Sequence, residues 1–403
     1  MKRIIISIII VINILLLPGC WDIREITDLG MVMAVGIDKI DSGRNHFKVT
    51  VQIANPKEHQ TNMAGTAQIV WTGNADGETI FDAVRNLARI SSKRIMWAHN
   101  NIVIIGESLA KQGIAPVVDF FTVNAELRLK TMVVVAKGKA QDYVATRSVG
   151  IEDITGIAYN VMGSYSKLQA VSIQTDMLKL FSTFSSQNGQ PILSTLTFQN
   201  QTVIPRQGQA SYDKDTVNLG GSAIFHKDKL IGWLTDEETR GVAWLLKATQ
   251  NTLVTVSNDP NSPKGISVET RNLSVNITTE IKDNIPAFTV NITAEGSIVE
   301  QDSYTTLSID EFKKQVEVSA AKEITSEIQV SLNKLQKEFK SDVLGWAQTF
   351  HIQHKSEWDK SFKDSWESVF PKIPVTINTK INITDNTLNQ LPLYDDKKKG
   401  GTQ

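Results

Sequence analysis

Two kinds of periodicity alternate along the first third of the chain and predict a sheet with helices packed on it. Runs that are apolar throughout, or at every second position, are typical of buried or half-buried strands. They lie at residues 31–38, 46–54, 68–72, 101–106 and 131–136. Apolar residues also recur at helical spacing, from an N-cap at Asp76 to about Ile90 and again over 109–121. The alternation of strand and helix over residues 68–136 predicts helices covering a sheet.

The next stretch predicts shorter helices and then a boundary. Helical patterns occupy residues 140–146, 156–164 and 173–181, and extended chain follows at 192–204. We interpret residues 20–205 as an N-terminal α+β region composed of two subdomains. Residues 206–219 are polar and rich in turn formers, so we predict a linker there.

Residues 220–385 have the pattern of a second α+β domain. A hairpin is predicted at 220–234, followed by a helix capped at Thr235 or Asp236 and by long alternating strands at 266–281 and around 288–292. Ser308 and Glu311 form a capping box that opens a helix extending to about residue 340. Its apolar residues recur at steps of four, so the stripe drifts around the helix, which must bend or change packing partners. A closing strand is predicted at 375–384, and the tail 386–403 is predicted to be disordered.

These elements predict the fold class α+β, as a multidomain, elongated body. Mixed and antiparallel sheets are packed with helices, and a long helix lies in the C-terminal domain.

Aromatic residues between positions 346 and 370 recur mostly every fourth residue. Trp358 and Trp366 belong to this series, and His354 occupies its one gap. A stripe at helical spacing is typical of a buried core. The alternative is contact with a protein partner, because Trp and Phe are enriched at interfaces.

The N-terminus has the plan of an export signal with a lipid site. A basic opening precedes an apolar run over residues 4–17, and Pro18 and Gly19 follow it. Fourteen helical residues span about 21 Å, which is short of a bilayer core of about 30 Å and disfavours the alternative of a transmembrane anchor. Cys20 is the only cysteine, and Leu17, Gly19 and Cys20 resemble a bacterial lipoprotein box. We therefore predict that residues 1–19 are a cleaved lipoprotein signal peptide and that Cys20 carries a diacylglyceryl group.

Composition and the absence of known motifs in the sequence argue against several classes of function. The chain has 42 basic and 43 acidic residues, and this balance argues against a nucleic-acid partner. Nucleotide-binding glycine motifs and the spacing of a hydrolase nucleophile elbow are missing from the sequence, so an enzyme is not expected. His351 and His354 have helical spacing but lack a third ligand at a clear distance in sequence, so neither a metal nor another cofactor is predicted.

Several stretches resemble the Ger(x)C family of spore germination lipoproteins. Cys20, Trp21 and Asp22, followed by Glu25 and residues 31–39, resemble the mature N-terminus of the family. Residues 221–245 resemble the start of its C-terminal domain, and residues 342–345 with Trp358 and Trp366 resemble the end of that domain.

The resemblance implies the C subunit of a nutrient germinant receptor in the inner membrane of a bacterial endospore. It implies three α+β domains and two integral membrane partners, a channel-like A subunit and a transporter-like B subunit. Trp21 and Asp22 are candidates for contact with such a partner, and a flexible tether is the alternative. The body would lie on the outer face of the membrane, held by its lipid. A solute-binding lipoprotein that delivers a small nutrient to a transporter remains the second hypothesis.

Overall fold

We analysed a computed structural model of the chain. It describes residues 4, 28–54, 70–124, 126–146, 152, 154–186, 188–199, 216–249, 251–257, 265–301 and 307–385. These residues form a nine-stranded sheet and a four-stranded sheet, both packed with helices. The predicted signal peptide with Cys20, the residues Trp21 and Asp22, and the predicted disordered tail 386–403 lie outside the described residues, apart from Ile4.

The first sheet is mixed, with parallel strands at its centre and antiparallel hairpins on both sides. Its strands are β1 (Leu29–Ser42), β2 (Asn45–Ala54), β3 (Val70–Gly77), β4 (Arg94–Met96), β5 (Ile102–Gly106), β6 (Met132–Ala136), β7 (Ile192–Gln199), β8 (Thr216–His226) and β9 (Lys229–Leu234). The order is β3-β2-β1-β5-β6-β7-β8-β9, and the short β4 pairs with the start of β1. Strands β1, β5, β6 and β7 are parallel to one another. Parallel strands are normally covered on both faces, which explains why β5 and β6 are apolar throughout.

Among the described residues, six helices cover the two faces of this sheet. They are α1 (Ile80–Ala88), α2 (Glu107–Gln112), α3 (Ala115–Val123), α4 (Ala140–Ala145), α5 (Thr155–Leu168) and α6 (Met177–Ser185). Helices α1, α2, α3 and α6 share one apolar core with the sheet, whereas α4 and α5 pack on the opposite face.

Two helix boundaries differ from the prediction. The N-cap of α1 is Thr79, whose hydroxyl accepts the backbone N–H of Asp82 at 3.1 Å. Asp76 lies in β3 instead, where its carboxylate is 2.8 Å from the Lys48 ammonium. The single helix predicted over 109–121 is divided into α2 and α3 at Gly113, whose φ of 140° is incompatible with a helix.

The β8–β9 hairpin extends the first sheet beyond the predicted linker. Strand β8 pairs with β7 in antiparallel fashion, so residues 216–219 of that linker are sheet. The hairpin predicted at the start of the C-terminal domain therefore completes the N-terminal sheet.

The remaining elements form the C-terminal layer. They are α7 (Asp236–Leu245), β10 (Leu253–Val256), β11 (Ile266–Lys282), β12 (Ile285–Gln301), α8 (Ile309–Asn333), a π-helical turn (Lys334–Phe339), α9 (Trp346–Gln353), α10 (Lys355–Glu357), a second π-helical turn (Trp358–Phe362), α11 (Trp366–Val369), a 3₁₀ turn (Phe370–Lys372) and β13 (Val375–Asp385). The second sheet has the order β10-β11-β12-β13, in which only the β12–β13 pair is parallel.

The long helix α8 matches the prediction in its start and in its packing. Ser308 and Glu311 form the reciprocal capping box. The apolar stripe is buried from Phe312 to Leu335, and the helix contacts β13, β10 and α7. The α+β class, the mixed and antiparallel sheets and the long C-terminal helix are confirmed.

Candidate functional site

The aromatic series between α9 and the 3₁₀ turn forms one buried cluster against β12. Its members are Trp346, Phe350, Trp358, Phe362, Trp366 and Phe370. Phe288 of β12 stacks on Trp346 with ring centroids 4.6 Å apart, and Phe350 stacks on Trp366 at 5.8 Å. The irregular helical segments follow from the packing of so many large rings at successive turns.

A single buried carboxylate organises this cluster. Asp342 accepts the backbone N–H groups of Trp346 at 3.0 Å and Ala347 at 2.7 Å, and thereby caps the start of α9. It also accepts the indole Nε1–H of Trp366 at 2.9 Å. Burial raises the pKa of the Asp342 carboxyl, against the lowering effect of these N–H donors. Asp342 therefore connects the beginning of the aromatic series with its end.

Trp358 and Trp366, the two predicted partner contacts in this region, are 4% and 2% exposed. The structure thus places both rings in the core, as the helical spacing of the aromatic series predicts. A direct contact of either ring with a partner stays a prediction, and it would require the cluster to open.

The junction between the two layers is built on Arg240 of α7. Its guanidinium donates to the Gln169 carbonyl at 2.8 Å and to the Leu253 carbonyl at 3.0 Å. Its Nε–H donates to Glu327 of α8 at 2.8 Å. Gln169 ends α5 on the first sheet, whereas Leu253 begins β10 of the second. The Arg240 side chain therefore contacts both the N-terminal and the C-terminal parts of the chain.

Glu327 completes the junction with its second oxygen. Oε2 accepts the indole Nε1–H of Trp244 at 2.7 Å. Helices α7 and α8 approach each other closely here because Gly241 has no side chain. A Cβ at this position would collide with the Glu327 carbonyl oxygen and the Ser331 hydroxyl. Ser331 donates that hydroxyl to the Glu238 carbonyl at 2.6 Å.

A second contact joins the C-terminal layer to the β8–β9 hairpin. The Ser341 hydroxyl donates to the Phe225 carbonyl at 2.7 Å. The ring of Phe339 covers Gly232, where any Cβ would meet it. Because Phe225 and Gly232 belong to the first sheet, the segment just before Asp342 is attached to the N-terminal layer.

The histidines considered for a metal site have other partners. His351 stacks on Trp358 with centroids 5.4 Å apart, and His354 Nε2 lies 3.0 Å from the Thr279 carbonyl oxygen. In the part of the chain that the structure describes, no group of three or more His, Cys, Asp or Glu side chains is close enough to hold a metal ion. None of the described helices is long and apolar enough to cross a membrane.

The junction was not predicted from the sequence. Arg240 and Glu327 are 87 residues apart, and no local pattern pairs them. The available signals are weak: Gly241 separates the polar first half of α7 from its apolar second half, and Glu327 directly precedes a residue of the α8 stripe.

We expect Glu327→Gln to lower the free energy of unfolding by about 2 kcal/mol. Glutamine keeps one acceptor oxygen, so its amide N–H₂ would face either the Arg240 Nε–H or the Trp244 indole N–H. Denaturant unfolding monitored by tryptophan fluorescence measures the change. Glu338→Gln, at a mostly exposed carboxylate on the following π-helical turn, is the control and should unfold like the wild type. Equal unfolding midpoints for the two variants would refute the structural role of the junction.

Together, the fold and the site define a class: an α+β protein of two layers, joined by side-chain contacts and organised around buried carboxylates with structural roles. Two family models match it in succession along the chain. "Spore germination protein N-terminal domain" matches residues 22–198, and "Spore germination B3/GerAC like, C-terminal" matches residues 220–387. The chain belongs to this GerAC-like family of spore germination proteins.

Similar proteins support this assignment over nearly their whole length. Spore germination protein KC of Bacillus subtilis (strain 168) is 26% identical over 405 residues, which cover 97% of this chain and 98% of that protein. Spore germination protein B3 of the same organism is 24% identical over 365 residues, covering 89% and 91% of the two chains. The crystal structure of the GerBC protein matches with a TM-score of 0.53 and 17% identity over 90% of this chain and all of that chain. This match shows the shared fold.

Proposed function

We propose that this protein is the lipid-anchored, non-enzymatic subunit of a spore nutrient germinant receptor and supports the receptor's assembly and signalling. One observation carries the proposal: the N-terminal and C-terminal models of a spore germination family match the chain in succession. Relatives named as spore germination proteins have nearly the same extent, which supports the same role for the whole chain.

The roles of two buried carboxylates and of one partly buried carboxylate support a function by contact, without catalysis. Asp38 of β1 accepts the backbone N–H groups of Ala140 at 2.7 Å and Gln141 at 2.8 Å, and so caps α4. Asp342 caps α9, and Glu327 holds Arg240 and Trp244. Each carboxylate is occupied by N–H donors that fix one element against another.

Membership of the family supports a proposal for the partners. The proposed complex contains a channel-like A subunit and a transporter-like B subunit in the spore inner membrane, with this protein on the outer face. Trp21 and Asp22, next to the lipid, are the proposed contacts with these subunits. The Arg240 junction would keep the two layers in a fixed arrangement, so that contacts made by either layer act on one body.

Changing Cys20 to Ala is expected to release the protein from spore membranes and to impair germination with nutrients. The thiol forms the thioether to lipid, and two acyl chains are sufficient for stable anchoring. Pro18→Ala, which leaves the thiol in place, is the control and should remain in the membrane fraction. Fractionation followed by immunoblotting measures retention, and full retention of the Cys20 variant would refute the lipid anchor.

The second hypothesis, a solute-binding lipoprotein, requires two similar α/β lobes around a cleft. The two sheets of this chain differ in strand number and order, which favours the receptor subunit. A saturable rise in melting temperature with alanine, asparagine or a sugar would instead favour the solute-binding class.

A further inference from the structure

An apolar groove of about 500 Å³ lies on the outside of the first layer, between α1, β4 and the end of α3. Its floor includes Trp97 and Leu127, which belong to the core, and the half-buried Ile95 and Phe120 form part of its walls. Apolar side chains thus border a groove that is open at the surface of the described residues.

Helix α1 explains why the groove is apolar. Ile80, Ala83 and Leu87 are buried against the sheet, as a single amphipathic face would be. The neighbouring positions Phe81 and Val84 are apolar as well, and Phe81 is 46% exposed. The helix therefore has a second apolar strip that the core covers only in part, because Phe81 is exposed and Val84 is half-buried.

Exposed apolar side chains also lie beyond the groove at the ends of two helices. Ile90, just after α1, is 57% exposed, and Val123, the last residue of α3, is 82% exposed. Asn124, which follows Val123, lines the groove. Ile90 follows Ala88, another lining residue, by two positions, so both exposed side chains belong to chain that borders the groove.

The charged side chains lining the groove are mostly basic. Arg85, Lys93 and Arg94 line it, against the single carboxylate of Glu126. The Arg85 guanidinium lies 5.0 Å from the centroid of the Phe81 ring. A basic and apolar surface of this kind is attracted to anionic lipid headgroups and can insert apolar side chains at the boundary with the acyl chains.

The position of the groove relative to the start of β1 indicates its occupant. Leu29 pairs with Arg94, and Gly30 pairs with Ile95, so the chain enters the fold beside the groove. Cys20 precedes Leu29 by nine residues, which span at most about 30 Å when extended. A lipid on Cys20 therefore keeps the start of β1, and the groove beside it, within about 30 Å of the bilayer.

We infer that Phe81, Arg85, Ile90, Arg94 and Val123 form an anchor-side surface that rests on the anionic headgroups of the membrane. The inference rests on the lipid anchor in the proposed function. The lipid brings the surface to the bilayer, and the surface then fixes which side of the body faces the membrane. Receptor subunits in the same membrane would consequently meet a constant orientation of this protein.

The test uses the full-length lipidated chain in vesicles. Val123→Cys introduces a thiol for an environment-sensitive dye, because the only other cysteine, Cys20, carries lipid in the proposed protein. Ile352→Cys is the matched control, since Ile352 of α9 is also an aliphatic side chain and is 73% exposed. Vesicles contain phosphatidylcholine with or without phosphatidylglycerol, and lipids with a quencher near the headgroup report contact with the dye.

We expect quenching at position 123 but not at 352, and only in vesicles that contain phosphatidylglycerol. Replacing Arg85 and Arg94 together by glutamine should shift the equilibrium from the docked towards the undocked orientation of the lipid-anchored protein by about 30-fold.

An unquenched dye at position 123, in chains that float with anionic vesicles, would refute the membrane-facing surface but not the lipid anchor. Equal quenching at both positions would overturn the orientation. Protection of position 123 only when integral membrane subunits are added would assign the surface to a protein. Chains that fail to float would overturn the anchor, and the surface with it.

Discussion

Replacing Asp342 by Ala is expected to lower the free energy of unfolding of the C-terminal layer by about 3–5 kcal/mol. The carboxylate holds the N–H groups of Trp346 and Ala347 and the indole N–H of Trp366. Alanine would leave these buried donors without an acceptor and would remove the cap of α9. The loss should appear as a lower denaturant midpoint for a transition followed by tryptophan fluorescence.

Two further variants separate the hydrogen bonds from the general effect of a mutation in this region. Asp342→Asn preserves the volume and one acceptor, but its amide N–H₂ must face one of the donors, so its midpoint should lie between those of the wild type and the alanine variant. Asp359→Ala removes an exposed carboxylate that pairs with Lys355 and should leave the midpoint unchanged. If Asp342→Ala and Asp359→Ala unfold alike, the carboxylate does not organise the cluster.

The elements that could be predicted from the sequence are those with local signals. The capping box at Ser308 and Glu311 lies within one turn of chain, and the helix begins where that box predicts. The apolar runs of β5 and β6 are strands because continuous β-branched residues between turns have few alternatives. Local chemistry was also decisive for Thr235, which forms a second capping box with Glu238.

The features that could not be predicted depend on residues far apart in sequence. Asp76 was a plausible N-cap, but pairing with β2 extends β3 through Gly77 and leaves the capping position to Thr79. The β8–β9 hairpin has a clear pattern of its own, yet nothing in that pattern tells which sheet it joins. The junction of Arg240 with Glu327 depends on how two helices pack, and Asp342 becomes a buried acceptor only once the aromatic segment folds around it.

The groove next to the anchor shows what hydrophobic periodicity does not predict about packing. The apolar positions of α1 were interpreted as one stripe, which predicts a helix covering a core. The structure separates them into a strip that the sheet buries and another, with Phe81 and Val84, that borders the groove. Hydrophobic periodicity records that a face is apolar, but it does not record what covers that face.

Trp358→Ala is expected to destabilise the protein by about 3–5 kcal/mol, because it removes a large buried ring. The ring is 4% exposed and lies 5.4 Å from Trp366 and 6.4 Å from Phe350 between centroids. A cavity of that size inside a close-packed cluster cannot close without moving the neighbouring rings. Thermal or denaturant unfolding of the purified variant measures the cost.

The same variant distinguishes a core residue from a partner contact. Ile352→Ala, in the preceding helix and 73% exposed, should change stability by less than about 0.5 kcal/mol and serves as the control. A Trp358 variant with wild-type stability that no longer joins the membrane subunits would place the ring at an interface. If the variant loses stability but its folded fraction still binds the membrane subunits, the ring belongs to the core. In that case contacts with the membrane subunits must come from other surfaces, and the segment next to Cys20 and the anchor-side surface become the first places to search for them.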